Sequence, residues 1–198
     1  KRQMSALRSA ANAKPVIVLK AGRRLAGQAA ARTHSAALVG DDDVFDAALR
    51  RAGAVRVRSF DEMFSAAKCL ASRFRPAGKR LAILTNGGGP GVLAADWVND
   101  IGLSLGVLSA EAAQALKAAL PPQASLVDLI DLSEDATPAH LGLALQAANR
   151  DAHIDGLLVI HSPKPGVDAA AFAQAVVDSK PGLSKPLLTC WMLSLIHI

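Results

Sequence analysis

Short β-branched, apolar runs alternate along this chain with alanine-rich stretches whose apolar positions recur at helical spacing. The run 15–20 reads as a buried strand ending at Gly22. Residues 44–51 carry apolar side chains at 44, 45, 48 and 49, follow the acidic capping run 41–43 and stop at Gly53, which predicts a helix. A short strand at 55–57 follows. Ser59 as cap and Glu62 at the capping-box position then open a helix running to about residue 74. The polar, Pro- and Gly-punctuated segment 75–79 is the best linker in the chain.

Beyond it the pattern restarts. Strands are expected at 80–85, 105–108, 126–130, 156–160 and 186–191. Helices are expected at 92–100, 110–120 (capped by Ser109), 138–149 and 168–179. Five strands alternating with four helices predict an α/β fold of parallel βαβ units, doubly wound with helices on both sheet faces. The expected organisation is one α/β domain ending near residue 75, with its earlier strands missing, and a second, flavodoxin-like domain over 76–192. The chain opens without Met, and its first strand arrives with nothing before it to pair with, so it reads as an internal fragment. The last six residues, 193–198, follow a clean strand and match nothing expected there; they read as a non-native tail.

Composition narrows the class. Half the residues are hydrophobic, which excludes disorder, yet no apolar run is long enough to span a bilayer. Cys69 and Cys190 stand far apart without metal-type spacing, which fits ordinary small apolar residues in a reducing cytoplasm. The net charge of +5 raises nucleic acid as a partner. The arginines are scattered, however, and almost no aromatic residues lie among them to stack bases, so no nucleic acid is expected.

Three segments carry candidate chemistry. In Thr33-His34-Ser35-Ala36-Ala37, small residues leave the imidazole accessible, and a neutral imidazole accepts a phosphoryl group near neutral pH. A surface or structural histidine is the other reading of that loop; no metal partner stands at ligand spacing. In Thr85-Asn86-Gly87-Gly88-Gly89-Pro90-Gly91, glycines at a strand's carboxyl end let backbone N–H groups reach an anion at a helix N-terminus. It is neither a Walker loop nor a dinucleotide fingerprint, and a tight structural turn explains it as well. His161-Ser162-Pro163-Lys164-Pro165-Gly166 leaves the same sheet edge, where open α/β sheets bind ligands. His161 itself reads as a loop residue. Asp128 and Asp131 fall near that edge, while His140 and His153 read as solvent-facing.

Taken together, the run 14–23, the histidine loop 33–40, the segment 45–53 and the glycine loop 81–91 resemble the succinyl-CoA synthetase-like, NDP-forming acyl-CoA synthetases. They are most similar to the ADP-forming acetate–CoA ligase branch. The resemblance implies that His34 is phosphorylated, with Ser35, Asn86, Gly87, Gly88, Gly89, Gly91, Asp128, Ser162 and Gly166 as phosphate- or ligand-binding positions. It also implies CoA and ATP/ADP with Mg2+, held largely by CoA-binding and ATP-grasp domains on the same or another chain. A small carboxylic acid is the implied substrate, and a homo-oligomer is compatible with the family. Two departures stand out: Ala36 replaces the usual glycine, and the Asn-Pro-x-Asp segment appears as Ser125-Leu126-Val127-Asp128. Alone, this stretch is expected to be inactive. The same architecture fused to a GNAT acetyltransferase implies a second function, a CoA- or acetyl-CoA-sensing region of a protein lysine acetyltransferase.

Overall fold

The structure, a computed structural model, describes residues 2–29, 41–71 and 78–192. Two compact units divide the chain, Lys1–Phe74 and Arg75–Ile198.

The first unit opens with a helix that the strand-and-helix pattern did not announce, α1 (Arg2–Ala13). Its alanines and long-chain residues contain no glycine or proline, and it stops just before Pro15. β1 (Ile17–Leu19) and β2 (Val55–Val57) pair in parallel, Ile17 opposite Val55. Between them lies α2 (Asp42–Ala52), whose cap Asp41 accepts from the N–H groups of Asp43 and Val44. It ends at Gly53 in the left-handed region, φ 76°, as a helix C-terminal glycine should. α3 (Phe60–Ala71) follows, with Ser59 Oγ accepting from the Glu62 N–H. The Glu62 carboxylate reaches back one residue further than a capping box requires, to the Arg58 N–H at 2.6 Å.

A charge network fastens these pieces. Arg56 on β2 donates both bonds of its Nη2 side to Asp42, at 2.7 and 2.8 Å, and Nη1 to Asp46 at 3.2 Å. Lys20, just past β1, pairs with the same Asp42 at 3.2 Å. The hydrogen bond from Arg56 holds the Asp42 carboxyl down at about 2, against an ordinary 3.8. A depressed folded pKa makes the stabilisation complete above the ordinary value and erodes it as acid protonates the folded carboxylate. Stability of this unit should therefore fall as pH drops from about 4 to about 2. Urea midpoints followed across that window should lose much of this slope in Asp42→Asn; an unchanged slope would place the linkage elsewhere.

The second unit holds β3 (Arg80–Thr85), α4 (Gly88–Asp100), β4 (Ser104–Leu105), α5 (Ala110–Lys117), β5 (Ile130–Asp131), α6 (Pro138–Arg150), β6 (Gly156–His161), α7 (Ala169–Ser179) and β7 (Leu187–Trp191). Every strand pairing is parallel: β6 runs along one edge of β3, β7 lies beyond β6, and β4 and β5 both pair with β3. The strands alternate between two buried layers. Ala82 and Leu84 face a core shared with α5, α6 and α7, while Ile83 faces α4 through Val98. Helices thus cover both faces, the doubly wound arrangement expected. At the amino edge Arg80 and Asp155 form a bidentate pair, 2.7 and 2.9 Å, joining the starts of β3 and β6.

Several boundaries differ from the sequence reading. β4 ends at Leu105 because Gly106 closes on β3, its N–H donating to Leu81 O at 2.8 Å, and the chain then turns toward the Ser109 cap. β5 shrinks to two residues because 127–129 form a bend. α4 begins at Gly88 rather than near residue 92, so the glycines form the helix's first turn. Pro90 sits at its third position, where a missing N–H costs no intrahelical bond.

Candidate functional site

At the carboxyl edge of the second unit's sheet, β3 delivers Thr85 and Asn86, both buried, directly into α4. The Thr85 hydroxyl closes the turn locally: it donates to Gly87 O at 2.8 Å and accepts from the Gly87 N–H at 3.0 Å. Asn86 closes it at long range. Its Nδ2 donates to Ser162 O at 2.9 Å, and its Oδ1 accepts from the Ser162 N–H at 2.7 Å. The turn after β3 and the turn after β6 are therefore clamped together. A Cβ at 87 would stand 2.7 Å from Ser162 Oγ and 3.0 Å from its Cβ, so a larger residue there would force Ser162 to shift.

This geometry presents the start of α4. Its cap residue, Gly87, has no side chain to satisfy the helix N-terminus, and Gly88 and Gly89 bring their N–H groups there without side-chain bulk. A Cβ at Gly89 would meet nothing within 4 Å, so the approach is open on that side. On the other side stands an acid, with Asp131 Oδ2 3.4 Å from where a Cβ of Gly88 would be. Asp131 Oδ1 accepts from the Ser133 N–H at 3.0 Å, which fixes the carboxylate at the end of β5. The donor set fits a phosphoryl-sized anion, and the neighbouring carboxylate can accept from an N–H or O–H donor.

The predicted site residues separate into groups on this frame. Gly87, Gly88 and Gly89 form the presented turn. Gly91 instead lies inside the helix against Thr85 and Leu129, its absent Cβ leaving 3.0 Å to Thr85 Cγ2. Asn86 and the Ser162 backbone spend their hydrogen bonds on each other, so they position the turn. Asp128 is exposed in the bend before β5. Gly166 adopts φ 79° ahead of α7, but the N-terminal N–H groups of α7 at Ala170 and Ala171 already bond the Asp168 carboxylate. The end of α7 is thus capped from within, unlike that of α4. His34 and Ser35 lie outside the described residues.

Several side chains sit differently from their sequence reading. His161 is the last residue of β6, 2% exposed, packed between Phe172 and Trp191. Burial lowers its pKa. Nothing in the local pattern gives this away, because its partners come from elements later in the chain. His140 is half-buried and closes the capping box of α6, its Nδ1 accepting from the Thr137 N–H. His153, by contrast, is exposed as its sequence reading had it, beside Asp151. Cys69 and Cys190 are exposed, not packed away. Among the described residues no group of three or more His, Cys, Asp or Glu side chains is placed to hold a metal ion, and no helix is long and apolar enough to cross a membrane.

Known proteins share both sequence and shape with this chain. Residues 1–70 match the succinyl-CoA ligase like flavodoxin domain. The ADP-forming acetate–CoA ligase I of Archaeoglobus fulgidus is 36% identical over 174 residues, covering 88% of this chain and 25% of the relative. Subunit alpha of the ADP-forming acetate–CoA ligase II of Pyrococcus furiosus is 33% identical over 185 residues, 90% of this chain and 40% of the subunit. The solved dinucleotide forming acetyl-coenzyme A synthetase 1 of Ca. Korarchaeum cryptofilum, in complex with phosphate and ADP, superimposes with a TM-score of 0.87 at 29% identity. That match covers 97% of this chain and 42% of the other. The chain thus spans between a quarter and about two fifths of the relatives it matches. The agreement of motif, sheet topology and relatives has one meaning: this chain belongs to the NDP-forming acyl-CoA synthetase family.

Proposed function

We propose that the protein carrying this chain is an acyl-CoA ligase that forms its thioester through a phosphohistidine, and that the start of α4 in the second unit binds a phosphoryl group. The observation that carries this reading is the uncapped start of α4, with Gly88 and Gly89 open to an anion and Asp131 beside them. His34 is the nucleophile. Its imidazole takes the terminal phosphoryl group of ATP and releases ADP. The phosphoryl group passes to a small carboxylic acid; CoA thiolate then attacks the acyl phosphate, giving acyl-CoA and inorganic phosphate. The N–H groups at the start of α4 offset the negative charge of a phosphoryl group held there, and Asp131 stands beside them. Ser35, next to the nucleophile, is the adjoining ligand position. Asp128, exposed near the same edge, is available to a substrate but holds none of this frame together.

CoA, ATP and Mg2+ enter with partner domains, on the same or another chain. The phosphoryl reading does not depend on a metal site in the described residues. The named relatives are ligases, which favours thioester synthesis over acetyl-CoA sensing. A cytoplasmic setting suits free thiols and these substrates.

The test uses the full-length protein with ATP, CoA and a panel of short carboxylic acids, trapping activated acyl groups with hydroxylamine and identifying the nucleotide product. ADP with a thioester is the expected result. Formation of AMP and pyrophosphate would overturn the phosphohistidine route.

A further inference from the structure

His161 is a buried, ionisable ring that the proposed chemistry does not use. It ends β6 at 2% exposure, one residue before Ser162, whose backbone is held by Asn86. Its ring stacks on Trp191, with centroids 5.3 Å apart, and packs against Phe172 at 4.9 Å. Nε2 is fully enclosed and meets no donor or acceptor among the described residues. A cavity of about 10 Å³, bounded by Thr85, Asn86, Leu132, Leu141, His161 and Phe172, adjoins the ring. That is room for one water, and the polar residues bounding it are the two that shape the turn into α4.

We propose that His161 is a positioning residue for the anion-binding turn. Its neutral ring, wedged between Phe172 and Trp191, joins a single cavity water through Nε2 to the Thr85–Asn86 turn, and so keeps the Asn86–Ser162 clamp closed. The proposal rests on reading the start of α4 as the phosphoryl site. A buried imidazole nitrogen is costly to leave unpaired, and a water bonded to it and to the polar turn removes that cost.

Among the described residues, the lining around the ring offers no anionic partner for a cation. The groups packed on the ring, from α7, β7, the β3–α4 turn and the start of α6, include no titratable side chain. Of the acids on those elements, Asp131 and Asp168 bond backbone N–H groups at Ser133, Ala170 and Ala171. Cys190 on β7 is exposed, and His140 on α6 is spent on its cap. Burial lowers the pKa of His161 below the ordinary 6.5. The neutral ring is the folded form, so its contribution is complete above pH 6.5 and declines as pH falls below it.

The experiment is amide NMR and hydrogen exchange on this chain, in the wild type, His161→Phe and His161→Gln. Phe keeps the stack and loses the polar atom; Gln keeps a polar atom near the Nε2 position. Exchange of the Ser162 N–H should accelerate about tenfold or more in His161→Phe and stay within about threefold of wild type in His161→Gln. Equal protection in all three, or equal loss in both variants, would overturn the proposal. If neither variant folds, the wild type decides. Ser162 and Gly88 amide signals should shift together with protonation of His161, and signals that ignore it would overturn the proposal. A separate titration with inorganic phosphate tests the underlying reading. No response at Gly88 and Gly89 would sink the anion site, while the Ser162 exchange result would still stand or fall alone.

Discussion

Replacing His34 by asparagine in the full-length protein should remove the acid-labile, alkali-stable phosphoryl label acquired from ATP, lowering its rate of formation by about 10⁴-fold or more. The size follows from the chemistry. Asparagine has similar bulk but no lone-pair nitrogen able to attack phosphorus, and no neighbouring group takes over when a nucleophile is deleted. Thioester synthesis should fall with the label, since the phosphoryl group has no other carrier in the proposed sequence. Circular dichroism of the variant checks that the fold is retained. Labelling at the wild-type rate would remove His34 from the mechanism while leaving the anion-accepting start of α4 to be explained by another phosphate.

The second large effect concerns stability. Asn86→Ala should cost the second unit about 2–3 kcal/mol, because the change removes two hydrogen bonds at once and strands the Ser162 N–H and C=O in a half-buried turn. At the entropy typical of a unit this size, thermal unfolding should move down by roughly 8–12 °C. Asn86→Asp should not rescue it. A carboxylate still accepts from the Ser162 N–H but sets an oxygen against Ser162 O, where the amide had donated. A melting point within about 2 °C of wild type for Asn86→Ala would show that the clamp is not what holds the two turns.

Much of this arrangement was legible along the chain. The alternation of apolar runs with helical stretches gave the doubly wound sheet, and the caps at Asp41, Gly53 and Ser109 formed where local chemistry placed them. Local rules failed where the decisive partner is distant. Asn86 reads as a ligand residue because a polar side chain in a glycine turn invites that role, yet its partner lies 76 residues away. His161 reads as loop because its stacking partners arrive with α7 and β7. The start of α4 was placed too late because glycine is a poor helix former, a weak preference that the first turn's position against β5 and β6 overrides. The two helix ends looked alike in sequence; only the placement of the Asp168 carboxylate shows that one is already filled.

The clamp between Asn86 and Ser162 also sets an order of assembly. A ribosome adding roughly 5–20 residues each second exposes Gly87–Gly91 several seconds before β6 exists. Through that interval the glycine turn has no distant anchor, and closing so long a loop is favourable only once β6 has docked on β3. The N–H groups at the start of α4 thus come into line only as the unit is completed.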